Sequence, residues 1–165
     1  MLWHGSNKYI KGQLIPHKSF HYEPLVYATA DLYYALVRAG KFNINELLLK
    51  EDYNGVTYTL IELNEGAIEK VFNTDGYIYA VNRNTFSHTK DCMLNEFIST
   101  EPCDIVDTFY IDNVLDSMNN IYHNDFYKFI RYGSEEEKEY WKTVNGGKEG
   151  YLQRRKERIE RFNKS

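Results

Sequence analysis

Three side chains stand where packing alone would not put them. His4 lies in the short run Leu2-Trp3-His4 and is followed at once by Gly5 and Ser6. A glycine there lets a ligand come close to the backbone, with N–H and C=O groups left to bond it. Tyr27 closes the apolar run Leu25-Val26-Tyr27 just ahead of an expected helix, where a side chain and free helix-end N–H groups can meet a ligand. Glu96 alternates in phase with Leu94 and Ile98, which puts a carboxylate on a strand face that is otherwise apolar. A carboxylate on an inner face costs on the order of several kcal/mol unless it is bonded or protonated. That cost makes Glu96 a functional candidate. Each residue also has an ordinary reading, as a satisfied strand histidine, a packing tyrosine or a glutamate at an exposed edge.

The elements that must position them can be read from periodicity. Met1–Gly5 reads as a first strand. Pro24–Gly40 encodes a strand and then a helix, in which Leu32, Ala35, Leu36 and Ala39 recur at the spacing of one buried face. Thr29 is the expected N-cap, with Asp31 at the positive end of the helix dipole and Gly40 as a C′ residue able to take φ > 0. Ser6–Glu23 reads as a polar loop with one short element around Gln13–Ile15. Lys41–Asn54 suggests a second short helix around Leu47–Leu49, with Asn45 as its cap and a turn at Asn54-Gly55. Val56–Leu63, Tyr77–Val81, Leu94–Thr100 and Asp104–Ile111 read as strands, with Gly66–Thr74 as a connector and Asn82–Asp91 as a loop free of aliphatic residues. After Ile111 helical patterns follow, at Asn113–Asn119, Asp125–Tyr132, from a capping box at Ser134-Glu-Glu-Glu137 through Trp141, and at Lys148–Phe162. Strands first and helices after indicate an α+β fold.

Bulk properties bound the rest. The chain has 165 residues, 42% hydrophobic and 27% charged, as expected of one soluble domain. It carries fifteen tyrosines, which supply packing area and polar edges together. Cys92 and Cys103 match no metal spacing and read as free thiols in a reducing compartment. The opening Met1-Leu2-Trp3-His4-Gly5 has no basic n-region or apolar h-region, and no run is long enough to span a bilayer, so a cytoplasmic protein with no membrane partner is expected. From Lys148 onward there are seven Lys and Arg against three Glu, within a net charge of −4. A solvated helix with local Glu/Arg pairs accounts for that tail, and the acidic body argues against broad phosphate-backbone binding.

Leu2-Trp3-His4-Gly5-Ser6, Val26-Tyr27-Ala28-Thr29 with the helix after it, and Asn95-Glu96-Phe97-Ile98 together resemble the three motifs of the His-Tyr-Glu class of ADP-ribosyltransferases, the class of diphtheria-type toxins and poly(ADP-ribose) polymerases. The first two segments are also similar to the small rifamycin-modifying transferases and the RNA 2′-phosphotransferases. The resemblance implies a split antiparallel β-sheet core over 1–111, with 112–165 as a helical C-terminal extension of the same domain. It implies NAD as co-substrate, no metal, and transfer of ADP-ribose with release of nicotinamide. His4 would then orient a ribose hydroxyl, Gly5 hold the nicotinamide amide through its backbone, and Ser6 reach the other ribose. Tyr27 would stack on the nicotinamide ring, Ala28 and Tyr34 would complete the NAD-binding set, and Glu96 would stabilise the positive centre formed as nicotinamide leaves. Arg83, Phe86 and His88, on the loop before Glu96, would contact the acceptor.

The chain departs from the pattern on the helix. Tyr33 and Tyr34 come earlier than the second stacking tyrosine of the toxins and polymerases, Arg38 occupies the usual spacing, and Ala35 lies near where polymerases place a serine. Glu101 is a rival carboxylate, set beside Pro102 at an expected turn. A mono-ADP-ribosyltransferase is the leading expectation, with a protein, nucleic acid or small molecule as acceptor. The alternatives are a catalytically inactive NAD/nucleotide-binding or protein-interaction module, with a partner docked on the helical extension, and an RNA 2′-phosphotransferase-like enzyme. The last would need more cations than the acidic body supplies.

Overall fold

Strand β1 (Leu2–Ser6) is the rod about which the larger sheet of the computed structural model is built. The structure describes residues 1–18, 23–52, 57–90, 92–120 and 126–164. On one side β1 pairs with β6 (Gly76–Val81), which pairs with β8 (Cys103–Ile111), and β8 with the short β2 (Gln13–Leu14). On its other side stand β3 (Val26–Thr29) and β7 (Glu96–Ser99). All five pairings of this six-stranded sheet are antiparallel. A separate three-stranded sheet joins β4 (Leu47–Glu51) antiparallel to β5 (Tyr58–Glu62), and β5 parallel to β9 (Tyr127–Ile130). The helices are α1 (Leu32–Ala39), α2 (Ala67–Phe72), α3 (Val114–Asn120), α4 (Glu135–Lys142) and α5 (Gly147–Lys164). Among the described residues the fold is thus mixed α+β, with no helix long and apolar enough to cross a membrane.

The strand period of two sorts the core. Leu2, Val26, Ala28, Tyr79, Val81 and Phe97 form one buried cluster. The alternating Ile78 joins a second, with α1, α2 and α3 and with Leu47 and Leu60 of the smaller sheet. Ile61, Leu63, Ile130 and Trp141 form a third, under α4.

Several local expectations are corrected. Helix α1 is capped by Asp31, in extended conformation, whose carboxylate accepts the Tyr33 N–H at 2.9 Å. Thr29 is already engaged in β3, and its hydroxyl accepts the Asp31 N–H at 3.0 Å. The buried face of α1 is Tyr34, Ala35, Leu36, Val37 and Ala39, while Leu32 is 47% exposed. Gly40 has a negative φ of −75°. A side chain is excluded there by crowding, since a Cβ would lie 2.7 Å from Cδ1 of Phe72.

The segments expected as a helix near Leu47–Leu49 and between Asp125 and Tyr132 are strands β4 and β9, made so by pairing with β5. Asn54-Gly55, Asp91 and Asp125 lie outside the described residues. The connector at Gly66–Thr74 contains α2, whose Ile68 N–H is received by the buried Glu62 carboxylate at 2.9 Å. Ser134 caps α4 as expected, accepting from Glu137 N at 3.1 Å, while the Glu137 carboxylate returns to the N–H of Gly133.

Candidate functional site

The site follows from where β1 and β3 part. Pairing of β1 with β6 runs along the whole strand, from Leu2↔Val81 to Ser6↔Tyr77. Pairing with β3 is confined to Trp3↔Thr29. Beyond Trp3 the β3-facing edge of β1 pairs with no strand among the described residues, and a cleft with a volume of about 220 Å³ opens there. Thr29 is in turn opposite Glu96, so Trp3, Thr29 and Glu96 form one row across three strands and share a face. Tyr27 and Ile98, opposite one another and two residues along, are on that same face.

Helix α1 lies directly on this face because two strands present glycine to it. A Cβ on Gly5 would run into the carbonyl oxygen of Ala35, and one on Gly76 into that of Ala39. The close approach carries Tyr34 and Arg38, one turn apart, to the cleft. His4, Gly5, Ser6, Tyr27, Ala28, Tyr34 and Glu96 all line it. These seven are separated by up to 92 positions in the sequence, and the fold brings them to one place.

His4 Nδ1 lies 2.6 Å from the backbone oxygen of Tyr27. A carbonyl only accepts, so Nδ1 carries the proton and a neutral ring presents Nε2 as an acceptor. Burial holds this imidazole below its ordinary range, opposed by the bond to Tyr27 and reinforced by the nearby Arg38 and His17 charges. Glu96 is half-buried, and its Oε2 accepts the hydroxyl of Tyr34 at 2.8 Å. Tyr34 is only 4% exposed. Burial chiefly, and the adjoining Glu96 in part, raise its phenol well above the ordinary range against the opposing charge of Arg38, so it remains a donor.

Behind Tyr34 sits a cluster of further tyrosines. The Tyr34 and Tyr58 rings pack with centroids 5.5 Å apart. The Tyr58 hydroxyl donates to the Asp31 cap at 2.6 Å, and that of Tyr127 to the backbone oxygen of Tyr33 at 2.5 Å.

Sequence reasoning did not find every group at the cleft. Trp3, Asn7, His17 and Phe42 also line it. His17 arrives through an isolated bridge with Leu25, for which the sequence offers no signal, and its ring centroid is 6.5 Å from that of Tyr27. Arg38, at the spacing where the resemblance sets a second tyrosine, lies over Phe42, 5.1 Å from the ring centroid. A second carboxylate also stands near Glu96. Glu51 accepts the Leu94 N–H at 2.6 Å, and its other oxygen is buried with no hydrogen-bond partner among the described residues. Burial, with the Glu96 and Asp52 charges adding to it, raises the Glu51 carboxyl above its usual range.

The expected acceptor loop is placed elsewhere. Ser87 bridges Ile98 along the outer edge of β7. Arg83 lies over the Phe97 ring at 4.4 Å, Phe86 packs into the cluster that holds Phe97, and His88 stands 5.4 Å from that ring with Nε2 donating to Met93. Phe97 points to the face opposite Glu96, so none of the three lines the cleft. Glu101 is exposed and is likewise not at the cleft.

The cleft combines a histidine acceptor, a half-buried tyrosine ring, a carboxylate and a strand edge that pairs with no strand among the described residues. That set suits an aromatic, hydroxyl-bearing ligand in which positive charge develops. No group of three or more metal-ligating side chains occurs among the described residues. Comparison of the chain with models of protein families, with curated proteins and with solved structures found no match.

Proposed function

We propose that the chain is an NAD-dependent mono-ADP-ribosyltransferase, with the cleft holding the nicotinamide–ribose end of NAD. The observation that carries this reading is that His4, Tyr27 and Glu96 line one cleft, beside the edge of β1 that pairs with β3 at Trp3 alone among the described residues. The split of the fold into two sheets agrees with the ADP-ribosyltransferase type suggested by the three motifs.

Each group has a task it is suited to. The open edge of β1 at Gly5 offers backbone groups to a planar carboxamide. Tyr27 offers a ring face to the pyridinium, worth about 0.5–1.5 kcal/mol beyond its burial. Nε2 of His4 accepts a ribose hydroxyl. A cleft of about 220 Å³ is smaller than a pocket for a whole drug-sized ligand, so the adenosine end lies across the open mouth.

In the reaction the bond between the ribose anomeric carbon and the nicotinamide nitrogen breaks, and its electron pair leaves with neutral nicotinamide. The positive charge left on the ribose faces the Glu96 carboxylate, a fixed group that needs no reorganisation as charge develops. An acceptor heteroatom then bonds the anomeric carbon and gives up its proton to solvent.

Incubation with NAD, with released nicotinamide measured by chromatography, tests the reading. Release by the wild type that falls about 100-fold or more in Glu96→Ala is expected. No release, or release that the substitution leaves undiminished, would refute it. Heat of NAD binding in a calorimeter without release would favour the non-catalytic module instead.

A further inference from the structure

We propose that Tyr34 is a positioning residue, whose hydroxyl fixes the Glu96 carboxylate in the cleft, and not a second stacking surface for the nicotinamide ring. The kinetic part of this inference rests on the ADP-ribosyl-transfer reading above. The spectroscopic part does not.

Four observations converge. The Tyr34 hydroxyl donates to Glu96 Oε2 at 2.8 Å, which leaves Oε1 for a substrate. At 4% exposure the ring has little free surface to offer a ligand. One ring contact is already taken by Tyr58 at 5.5 Å between centroids. Finally, α1 cannot readily carry Tyr34 away. Asp31 caps the helix and is itself bonded by Tyr58 from β5, while Tyr127 from β9 bonds the backbone of Tyr33.

A carboxylate on a two-carbon stem at a half-exposed strand position would otherwise sample several rotamers. A buried donor that stays protonated selects one of them. The early position of Tyr34 on α1 follows from this role: it places the hydroxyl over β7, at the row that holds Glu96, instead of deeper along the cleft where a stacking ring would be needed.

The two roles predict opposite behaviour of Tyr34→Phe, which keeps the ring and removes the hydroxyl. A stacking role leaves nicotinamide release unchanged in that variant. A positioning role lowers kcat about 10- to 100-fold while KM for NAD stays within about twofold. Independently of turnover, the infrared carboxylate band of Glu96, isolated in carboxyl-labelled protein as the difference between wild type and Glu96→Gln, shifts in Tyr34→Phe. Should that variant fail to fold, fluorotyrosine at position 34 strengthens the donor and moves the band the opposite way. A band unmoved by either change overturns the proposal, as does a kcat that Tyr34→Phe leaves unchanged where the wild type releases nicotinamide. If the wild type releases none, the enzymatic reading falls and the band alone decides the role of Tyr34.

Discussion

Gly5→Ala separates two reasons for a glycine beside His4. From the sequence, Gly5 reads as a place where a ligand approaches the backbone. In the structure, the side on which a Cβ would stand is filled by α1. The new methyl would press into the carbonyl oxygen of Ala35 and lie 2.7 Å from the nitrogen of Ala39 and 2.9 Å from the carbonyl carbon of Arg38. All three are backbone atoms, so no rotamer change relieves the clash. Strand β1 cannot yield either, being held to β6 through five registered pairs. The helix must lift, which loosens the packing of Ala35, Leu36 and Ala39. Overpacking costs about 1–3 kcal/mol, and three backbone neighbours argue for the upper end, about 3 kcal/mol. For a chain of this size that is a fall in Tm of about 6–12 °C. The assay is thermal unfolding by circular dichroism, with Gly12→Ala as control. Gly12 has φ +84° and nothing within 4 Å of a built Cβ, so that substitution carries backbone strain alone, about 1 kcal/mol. A Gly5→Ala melting point no lower than that of Gly12→Ala would refute the packing argument. If NAD binding were lost at the same time, the glycine would belong to the ligand.

Two further predictions concern pH. His4 titrates below its ordinary value of 6.5, so the folded state binds its proton more weakly than the unfolded chain does, and its contribution to stability is lost as pH falls below 6.5. Chemical denaturation at several pH values should show that loss in the wild type and a shallower slope in His4→Gln; equal slopes would be inconsistent with a buried neutral imidazole. Glu51 has the opposite sign: its carboxyl is raised from 4.5, so stability declines as pH rises from about there through the raised folded value. Glu51→Gln keeps an oxygen for the Leu94 N–H and removes the charge, so it should stabilise the protein at neutral pH and not below pH 4.5. A variant less stable than wild type at neutral pH would contradict this.

The sequence made the cleft legible and misplaced some of its surroundings, for physical reasons that differ from residue to residue. Glu96 was found through its alternation with Ile98, but that face of β7 is not the core. Phe97 and Ser99 are the buried pair, Glu96 lines the cleft, Ile98 is half-buried, and Leu94 is 48% exposed outside the strand. Alternation reports a shared face and not which face is wet. The segments Leu-Leu-Leu-Lys-Glu and Tyr-Lys-Phe-Ile are too short for periodicity to tell a strand from a helix, and pairing with β5 decided both. Helix α2 was hidden because its first-turn N–H is met by Glu62, a residue of another element, in place of a local cap. The resemblance sets Arg83, Phe86 and His88 at an acceptor, and in the fold Phe97 supplies the aromatic surface on which they gather.

The tyrosines tie these parts together. Tyr34, Tyr58, Tyr79 and Tyr127 each place a ring in the protein and a hydroxyl on a named partner: Glu96, Asp31, the backbone oxygen of Lys8 and that of Tyr33. Phenylalanine would fill the same space and leave those acceptors without their donors, which is the costlier change in a buried site. The arrangement also bears on the C-terminal segment after Ile111. It is largely helical, yet it returns β9 to lie parallel beside β5 and sends the Tyr127 hydroxyl to the first turn of α1. The helix that carries Tyr34 is therefore braced by residues from both sides of Ile111. Orientation of Glu96 depends on a strand that no one of the three motifs contains.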